Sequence, residues 1–277
     1  MEFAPNLEDG PGDVVSKAMR GLVLTDKMVS ERSGLTLSQV VDLRNGLWDE
    51  FGARKIAPVL GLDADGLVGL AQKSLVPPPI ELPQWAPFST AFEDMSVNSY
   101  LGWDSTSREA IAFDTGSDCS GVLEMIRSEG LVLKAIFLTH THGDHIFDLD
   151  RLREATGALA FVNEREALDG AESFVAGRSW RFGRLQVDTR FTWGHSRGGT
   201  TYVISGLSLP VAVVGDALFA GSMGGGGVSY RDAIRTNRSE IFTLARETVL
   251  CPGHGPMTTV DWELRHNPFF GPSALSL

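Results

Sequence analysis

Across the second two thirds of the chain, short apolar runs of strand length alternate with amphipathic stretches. Leu131-Val132-Leu133-Lys134-Ala135-Ile136-Phe137-Leu138 is apolar at all but one position and predicts a buried strand. Leu209-Pro210-Val211-Ala212-Val213-Val214 and Thr248-Val249-Leu250 read the same way. Each run ends where a polar, glycine-bracketed motif begins, and the carboxyl ends of strands are where layered α/β proteins build their sites. Three strands are therefore predicted to deliver chemistry to one common edge.

Ahead of these runs, residues from about 13 to 74 carry apolar positions at helical spacing, punctuated by Gly21, Gly34, Gly46, Gly52, Gly61 and Gly66, and predict short helices. Between the two regions, the run from Pro77 to Pro87 holds five prolines in eleven positions, the composition of a stiff extended connector. The expected organisation is a helical domain over 1–75, a linker over 76–87 and an α/β catalytic domain over 88–277. No fixed-period repeat interrupts this order. No apolar run approaches the roughly 18 residues of a membrane span. Met1-Glu2-Phe3-Ala4-Pro5-Asn6 lacks the basic and apolar regions of a secretory leader, which predicts a cytoplasmic protein.

The chemistry is concentrated in histidine. Five of the six histidines fall in short motifs, and Thr139-His140-Thr141-His142-Gly143-Asp144-His145 packs three imidazoles and a carboxylate into six positions. Gly194-His195-Ser196, Gly215-Asp216-Ala217-Leu218 and Pro252-Gly253-His254-Gly255 follow in order. Neutral imidazole and carboxylate are ligands that zinc, iron and manganese accept, and four or five per ion suffice, so seven such groups are enough for two ions. On an extended or sharply turned stretch, alternating His140 and His142 point the same way and can grip one ion together. His266 has no second ligand near it and reads as an ordinary histidine. Cys119 and Cys251 are too few for a disulfide framework, and Cys251 reads as a small apolar residue ending a strand.

These residues carry a resemblance. From about 88 to 270 the chain resembles the metallo-β-lactamase fold hydrolases, whose ligand order is H-x-H-x-D-H, His, Asp, His. The resemblance implies a four-layer αββα fold, which here follows the small all-helical domain read from the apolar spacing. It also implies two divalent ions, most simply zinc, with iron or manganese as alternatives. One would be held by His140, His142 and His195, the other by Asp144, His145 and His254, with Asp216 bridging and Asp144 also catalytic. The runs Gly215-Asp216-Ala217-Leu218-Phe219-Ala220-Gly221-Ser222, Cys251 to Thr259 and Asn267-Pro268-Phe269 are similar to the glyoxalase II-like thioester hydrolases. An aspartate at position 216 argues against a lactam hydrolase. Asp114, ending a predicted strand in Ala112-Phe113-Asp114-Thr115-Gly116, matches a family position beside the site and is expected to orient a ligand.

The implied reaction is hydrolysis of a small-molecule thioester by a hydroxide held between two cations, since a bound metal brings the pKa of water from 15.7 to about 7. A thiolate, with a parent pKa of about 8.5, leaves without much protonation. The chain departs from glyoxalase II in its four-glycine run Gly224–Gly227, which reads equally as a lid or a plain loop, and in lacking the C-terminal helical domain that holds glutathione there. Tyr230, Arg231, Arg235 and Arg238 would lie largely along one helical face beside that run, a candidate surface for an anionic acyl or thiol portion. A lactonase, a persulfide dioxygenase with one iron, and a non-enzymatic ligand-sensing DNA-binding regulator are the competing readings.

The last reading draws on a second resemblance. Thr25 to Gly46 looks like the helix-turn-helix of Cro and phage-repressor-type domains, with a second helix from about Leu37 to Arg44 exposing Ser38, Gln39 and Asp42. The charge opposes a DNA role: residues 1–75 carry eight Lys and Arg against eleven Asp and Glu, and the whole chain has a formal charge of −11. A structural or homodimerising module is favoured over DNA binding.

Overall fold

Two six-stranded sheets lie face to face because each offers an inner surface of large apolar side chains. The computed structural model describes residues 7–275, so the leader reading of residues 1–6 falls outside it. The first sheet runs in chain order through β1 (Trp85–Phe92), β2 (Met95–Trp103), β3 (Glu109–Phe113), β4 (Val132–Phe137), β5 (Leu159–Asn163) and β6 (Ala171–Phe174). The second places β7 (Ser179–Phe182), β8 (Leu185–Phe191), β9 (Thr200–Ser205), β10 (Val211–Gly215), β11 (Val249–Pro252) and β12 (Thr258–Thr259) side by side. The three strands expected from the apolar runs are β4, β10 and β11.

Alternation along each strand assigns the layers. In β10, Val211 and Val213 face the first sheet while Ala212 and Val214 face outward. In β3, Ile111 and Phe113 face inward while Ala110 and Ala112 meet the helices α6 (Ser120–Ser128) and α8 (Leu149–Thr156). The short helix α7 (Gly143–Ile146) lies between them in sequence. This is the four-layer αββα arrangement.

One aromatic row sets the register of the first sheet. Tyr100 pairs with Phe113, Phe113 with Phe137 and Phe137 with Phe161 across four neighbouring strands. Phe113–Phe137 and Phe137–Phe161 ring centroids are 5.6 and 5.5 Å apart, and Tyr202 of the second sheet packs onto Phe137 at 5.1 Å. The row sits immediately before Asp114 and two residues before Thr139, so it fixes the height at which the loops leave the sheet.

The outer layer of the second sheet is built largely from the chain's first helices. These are α1 (Pro11–Gly21), α2 (Asp26–Ser33), α3 (Leu37–Arg44), α4 (Glu50–Ile56) and α5 (Ala64–Ala71). Val14, Ala18, Ile56 and Leu67 belong to one buried cluster with Ala212, Val214 and Leu250, joined by Tyr230 and Ile234 of α9 (Tyr230–Thr236) and Val260 of α10 (Val260–His266). Residues 85–87 of the expected linker form the start of β1. β1 starts at Trp85, which is buried, and Pro87 is tolerated because β1 is an edge strand with no neighbour needing its missing N–H. Ile80 and Leu82 pack against the core between the sheets. Gln39 is not a free side chain: it closes the N-terminal box of α3 with Thr36. No described helix is long and apolar enough to cross a membrane.

Phe137 touches five aromatic neighbours in this core, so Phe137→Ala should cost about 3–5 kcal/mol of stability. Urea unfolding is the check, and a loss under 1 kcal/mol would mean that the row does not hold the sheet as described.

Candidate metal centre

At the carboxyl ends of β3, β4, β10 and β11, seven side chains converge on one small volume. Four come from the turn and first residues of α7, directly after β4: His140, His142, Asp144 and His145. His195 comes from the loop between β8 and β9, Asp216 from the residue after β10, and His254 from just beyond β11. Ligand-capable atoms of His140, His142, His195 and Asp216 all lie within 4.8 Å of one another, as do those of Asp144, His145 and His254. His142 Nδ1 stands 3.0 Å from both His140 Nε2 and His195 Nε2. Asp216 reaches across both groups: Oδ1 is 3.2 Å from His145 Nε2, and Oδ2 is 3.4 Å from His195 Nε2 and 3.5 Å from His254 Nε2.

The nitrogens facing away from the cluster are tied down. His145 Nδ1 donates to Asp114 Oδ2 at 2.8 Å, His254 Nδ1 to the Ser96 carbonyl at 2.7 Å, and His195 Nδ1 to the Gly225 carbonyl at 2.9 Å. His140 Nδ1 donates to Thr139 Oγ1, whose own proton goes to Asp114. These bonds aim Nε2 of each ring inward, and imidazole accepts a metal there once that nitrogen has given up its proton. Asp114 thus serves two rings, and its carboxylate also takes the Thr139 N–H at 2.8 Å. Its backbone sits at φ 52°, a conformation that aspartate tolerates better than most residues. Thr139 relays between Asp114 and His140.

Two residues of this surround left no signal in the sequence. Glu166 accepts from Thr141 Oγ1 at 2.5 Å and from the Gly198 N–H at 2.7 Å, lacing the His140–His142 segment to the loop that carries His195. Ser96 acts through its backbone carbonyl, which any residue type supplies. Gly253 does have a signal: a Cβ there would stand 2.2 Å from Asp216 Oδ1, so only glycine leaves room for the carboxylate. Cys251 lies in the core between the sheets and its thiol is pushed up by burial.

The expected substrate surface is not formed as read. Tyr230 turns into the core, with its ring filling the place where a side chain on Gly21 would be. Arg231 is exposed, Arg235 pairs with Asp232 at 3.0 Å, and Arg238 lies over the Phe270 ring. Tyr230, Arg231 and Arg235 lie on the regular helix, and only Arg238 falls in the wider π turn that begins at Asn237. A cleft of about 650 Å³ opens instead beside His254, lined by Leu7, Glu8, Met95, Ser96, Gly255 and Pro256 among others.

Charge and burial shift the ionisation of the cluster's own groups. Burial alone would keep His145 and His254 neutral, but Asp216 and Asp114 raise His145 well above its usual range, and hydrogen bonds to Asp144 and Asp216 carry His254 to about 10. Burial opposes ionisation of Asp216, yet His145 beside it holds its carboxyl well below the usual value. Burial keeps His140 and His195 neutral. His145 Nε2 and Asp216 Oδ1 are buried without an aligned hydrogen bond. A pair of inward orphans within a His/Asp donor set fits a divalent cation.

The fold and this centre define a class. The profile of the Metallo-beta-lactamase superfamily matches residues 93–254, more than half of the chain, and the chain belongs to that superfamily. A protein named probable metallo-hydrolase from Streptococcus pyogenes is 34% identical over 188 residues, covering 58% of this chain and 80% of that protein. Hydroxyacylglutathione hydrolase of Pseudomonas entomophila is 32% identical over 142 residues, 48% of this chain and 51% of its own length. Human mitochondrial persulfide dioxygenase ETHE1 is 31% identical over 191 residues, 64% and 73% of the two chains. The profile leaves the five N-terminal helices outside its match.

A histidine whose folded pKa is raised stabilises the fold fully below its ordinary value of 6.5 and loses that contribution as pH rises through about 10. The metal-free protein should therefore lose thermal stability between pH 7 and 10, with a shallower slope in His254→Asn. Equal slopes for the two proteins in thermal unfolding would contradict the paired state of His254.

Proposed function

We propose that this chain is a metal-dependent hydrolase of small thioesters that works with two divalent ions. His140, His142 and His195 would hold one ion, Asp144, His145 and His254 the other, and Asp216 both. The observation that carries the reading is the position of Asp216, whose two oxygens lie within 3.5 Å of nitrogens from both sets. The donor set is imidazole and carboxylate with no thiolate, which suits zinc and is also compatible with iron or manganese. When bound, such ions lower the pKa of water towards neutrality and polarise a carbonyl.

The residues of the chain supply the rest. Asp114 and the Ser96, Gly225 and Thr139 oxygens fix the tautomer and direction of four rings. Glu166 keeps the loops of His142 and His195 in register. The cleft beside His254 gives the acyl or thiol portion a place next to the ligands, with apolar Leu7, Met95 and Pro256 against the chain of the substrate. A thiolate leaving group, with a parent pKa of about 8.5, asks for no separate strong acid. The similarity to hydroxyacylglutathione hydrolase supports a thioester. The similarity to a persulfide dioxygenase supports a second reading, in which sulfur chemistry at the same ligands consumes oxygen.

The test is a screen of the zinc-, iron- and manganese-loaded protein against acyl thioesters, lactones and glutathione persulfide. Release of one thiol per acid formed, without oxygen uptake, is the expected result. Asp216→Ala should lower kcat/KM by on the order of 10²-fold or more and reduce bound metal from two ions per chain. Oxygen uptake with the persulfide and no thioester cleavage would replace this reading with the second, and full thioester activity in Asp216→Ala would end the two-ion assignment.

A further inference from the structure

The loop after Asp216 contains a run of residues with little backbone preference of their own. Gly224, Gly225, Gly226 and Gly227 follow one another, and glycine loses more backbone freedom on ordering than any other residue. Yet this segment lies directly against the centre. The Gly225 carbonyl accepts the His195 Nδ1 proton at 2.9 Å. A Cβ on Gly224 would stand 1.9 Å from the Asp216 carbonyl oxygen and 2.9 Å from His195 Nδ1, so the chain passes against both residues. Upstream, the Phe219 ring stands edge-on to His254 with centroids 5.5 Å apart. An error in the path of this loop would therefore reach His195, Asp216 and His254 together.

Part of its restraint comes from the first helix and the residues just before it. Lys17 of α1 donates from Nζ to the Met223 carbonyl at 2.9 Å and lies 5.0 Å above the Phe219 ring. Asp9 pairs with Lys17 and accepts from Ser222 Oγ at 2.5 Å. Both charged side chains are largely buried, which makes each depend on the other. The backbone of Glu8 packs beside Gly255, next to His254. From the opposite flank, Glu263 accepts from the Gly221 N–H and Asn267 donates to the Ser222 carbonyl at 2.8 Å. Residues 221–223 are thus pinned from both sides immediately before the glycine run begins.

We infer that the N-terminal helical segment is a working part of the metal centre, in which Lys17 and Asp9 are positioning residues that set the path of the 222–225 backbone and through it the orientation of His195 and Asp216. The inference rests on reading those two residues as ligands, and it gives the helical segment a role inside the site rather than on DNA. Lys17 acts at a distance of two residues from Gly225, through backbone alone.

The variant that isolates this role is Lys17→Met, which keeps an unbranched stem over Phe219 while removing the charge and the donor. Asp9→Asn/Lys17→Met removes the carboxylate that would otherwise be left unpaired, and Ser222→Ala breaks only the contact between Asp9 and the loop. Metal-free proteins are titrated with cobalt(II) against a competing chelator, the visible spectrum is recorded, and amide exchange is followed over residues 222–227. The expected result is a loss of about 10–100-fold in cobalt affinity, an altered ligand-field band and faster exchange confined to the loop, with Lys17→Arg restoring much of each. Folded Lys17→Met and double variants with wild-type affinity, band and loop protection would overturn the inference. Should both fail to fold, the same readings on Ser222→Ala decide it. Because metal binding and not turnover is measured, a wild-type protein that binds cobalt but cleaves no thioester ends the functional reading and leaves this one standing; a wild-type protein that binds no cobalt ends both.

Discussion

Five imidazoles and two carboxylates crowded at the end of two sheets cannot satisfy one another by hydrogen bonding alone, and the surrounding structure is organised by that constraint. Each buried ring needs its outward nitrogen occupied, or its inward lone pair will not point at its neighbours. The occupants are a carboxylate, a hydroxyl and two carbonyls on four different segments: Asp114, Thr139, Ser96 and Gly225. The strand ends must then stand at matching heights, which the Tyr100–Phe113–Phe137–Phe161 row provides. In the metal-free state the cost of burying the carboxylates is offset by protons kept on His145 and His254. A cation would displace those protons and take over their role.

Much of the centre was legible in the sequence because its residue types are rare and its spacing short. Six histidines in the whole chain, three of them within six positions, leave little room for chance. The strands that carry them were legible for the same local reason, as apolar runs that stop abruptly at polar motifs. Asp114 was readable only through the family resemblance, since an aspartate at a strand end is by itself an ordinary turn residue. Contacts made through the backbone were not: the Ser96 and Gly225 carbonyls and the Gly198 N–H carry no residue-type signal, and Glu166 is one acidic residue among many.

The helical region shows a different limit. Its apolar spacing correctly gives short helices, but an apolar face does not name the surface that it will cover. Val14, Ala18 and Leu67 share one buried cluster with Ala212 and Val214 from the outer face of β10, so the helices are part of the layer that covers this sheet. Of the five prolines in the proline run only Pro87 lies in a strand, where a sheet edge tolerates a residue without a donor. Tyr230 and the arginines after it were placed on one face by helical spacing, which does not tell that the Tyr230 ring is drawn into the core or that the helix widens to a π turn at Arg238. The negative charge of the helical region, a poor match for DNA, is compatible with a segment whose Asp9 and Lys17 are spent on a loop inside the same molecule.

The central claim is that two cations share Asp216 at this one sheet edge. Anomalous diffraction at the zinc edge from crystals of the zinc-loaded protein tests it most directly. The account predicts two peaks, one among His140, His142 and His195 and one among Asp144, His145 and His254, with the Asp216 carboxylate in contact with both. A single peak at saturating zinc, or two peaks with Asp216 turned away from either, would contradict it.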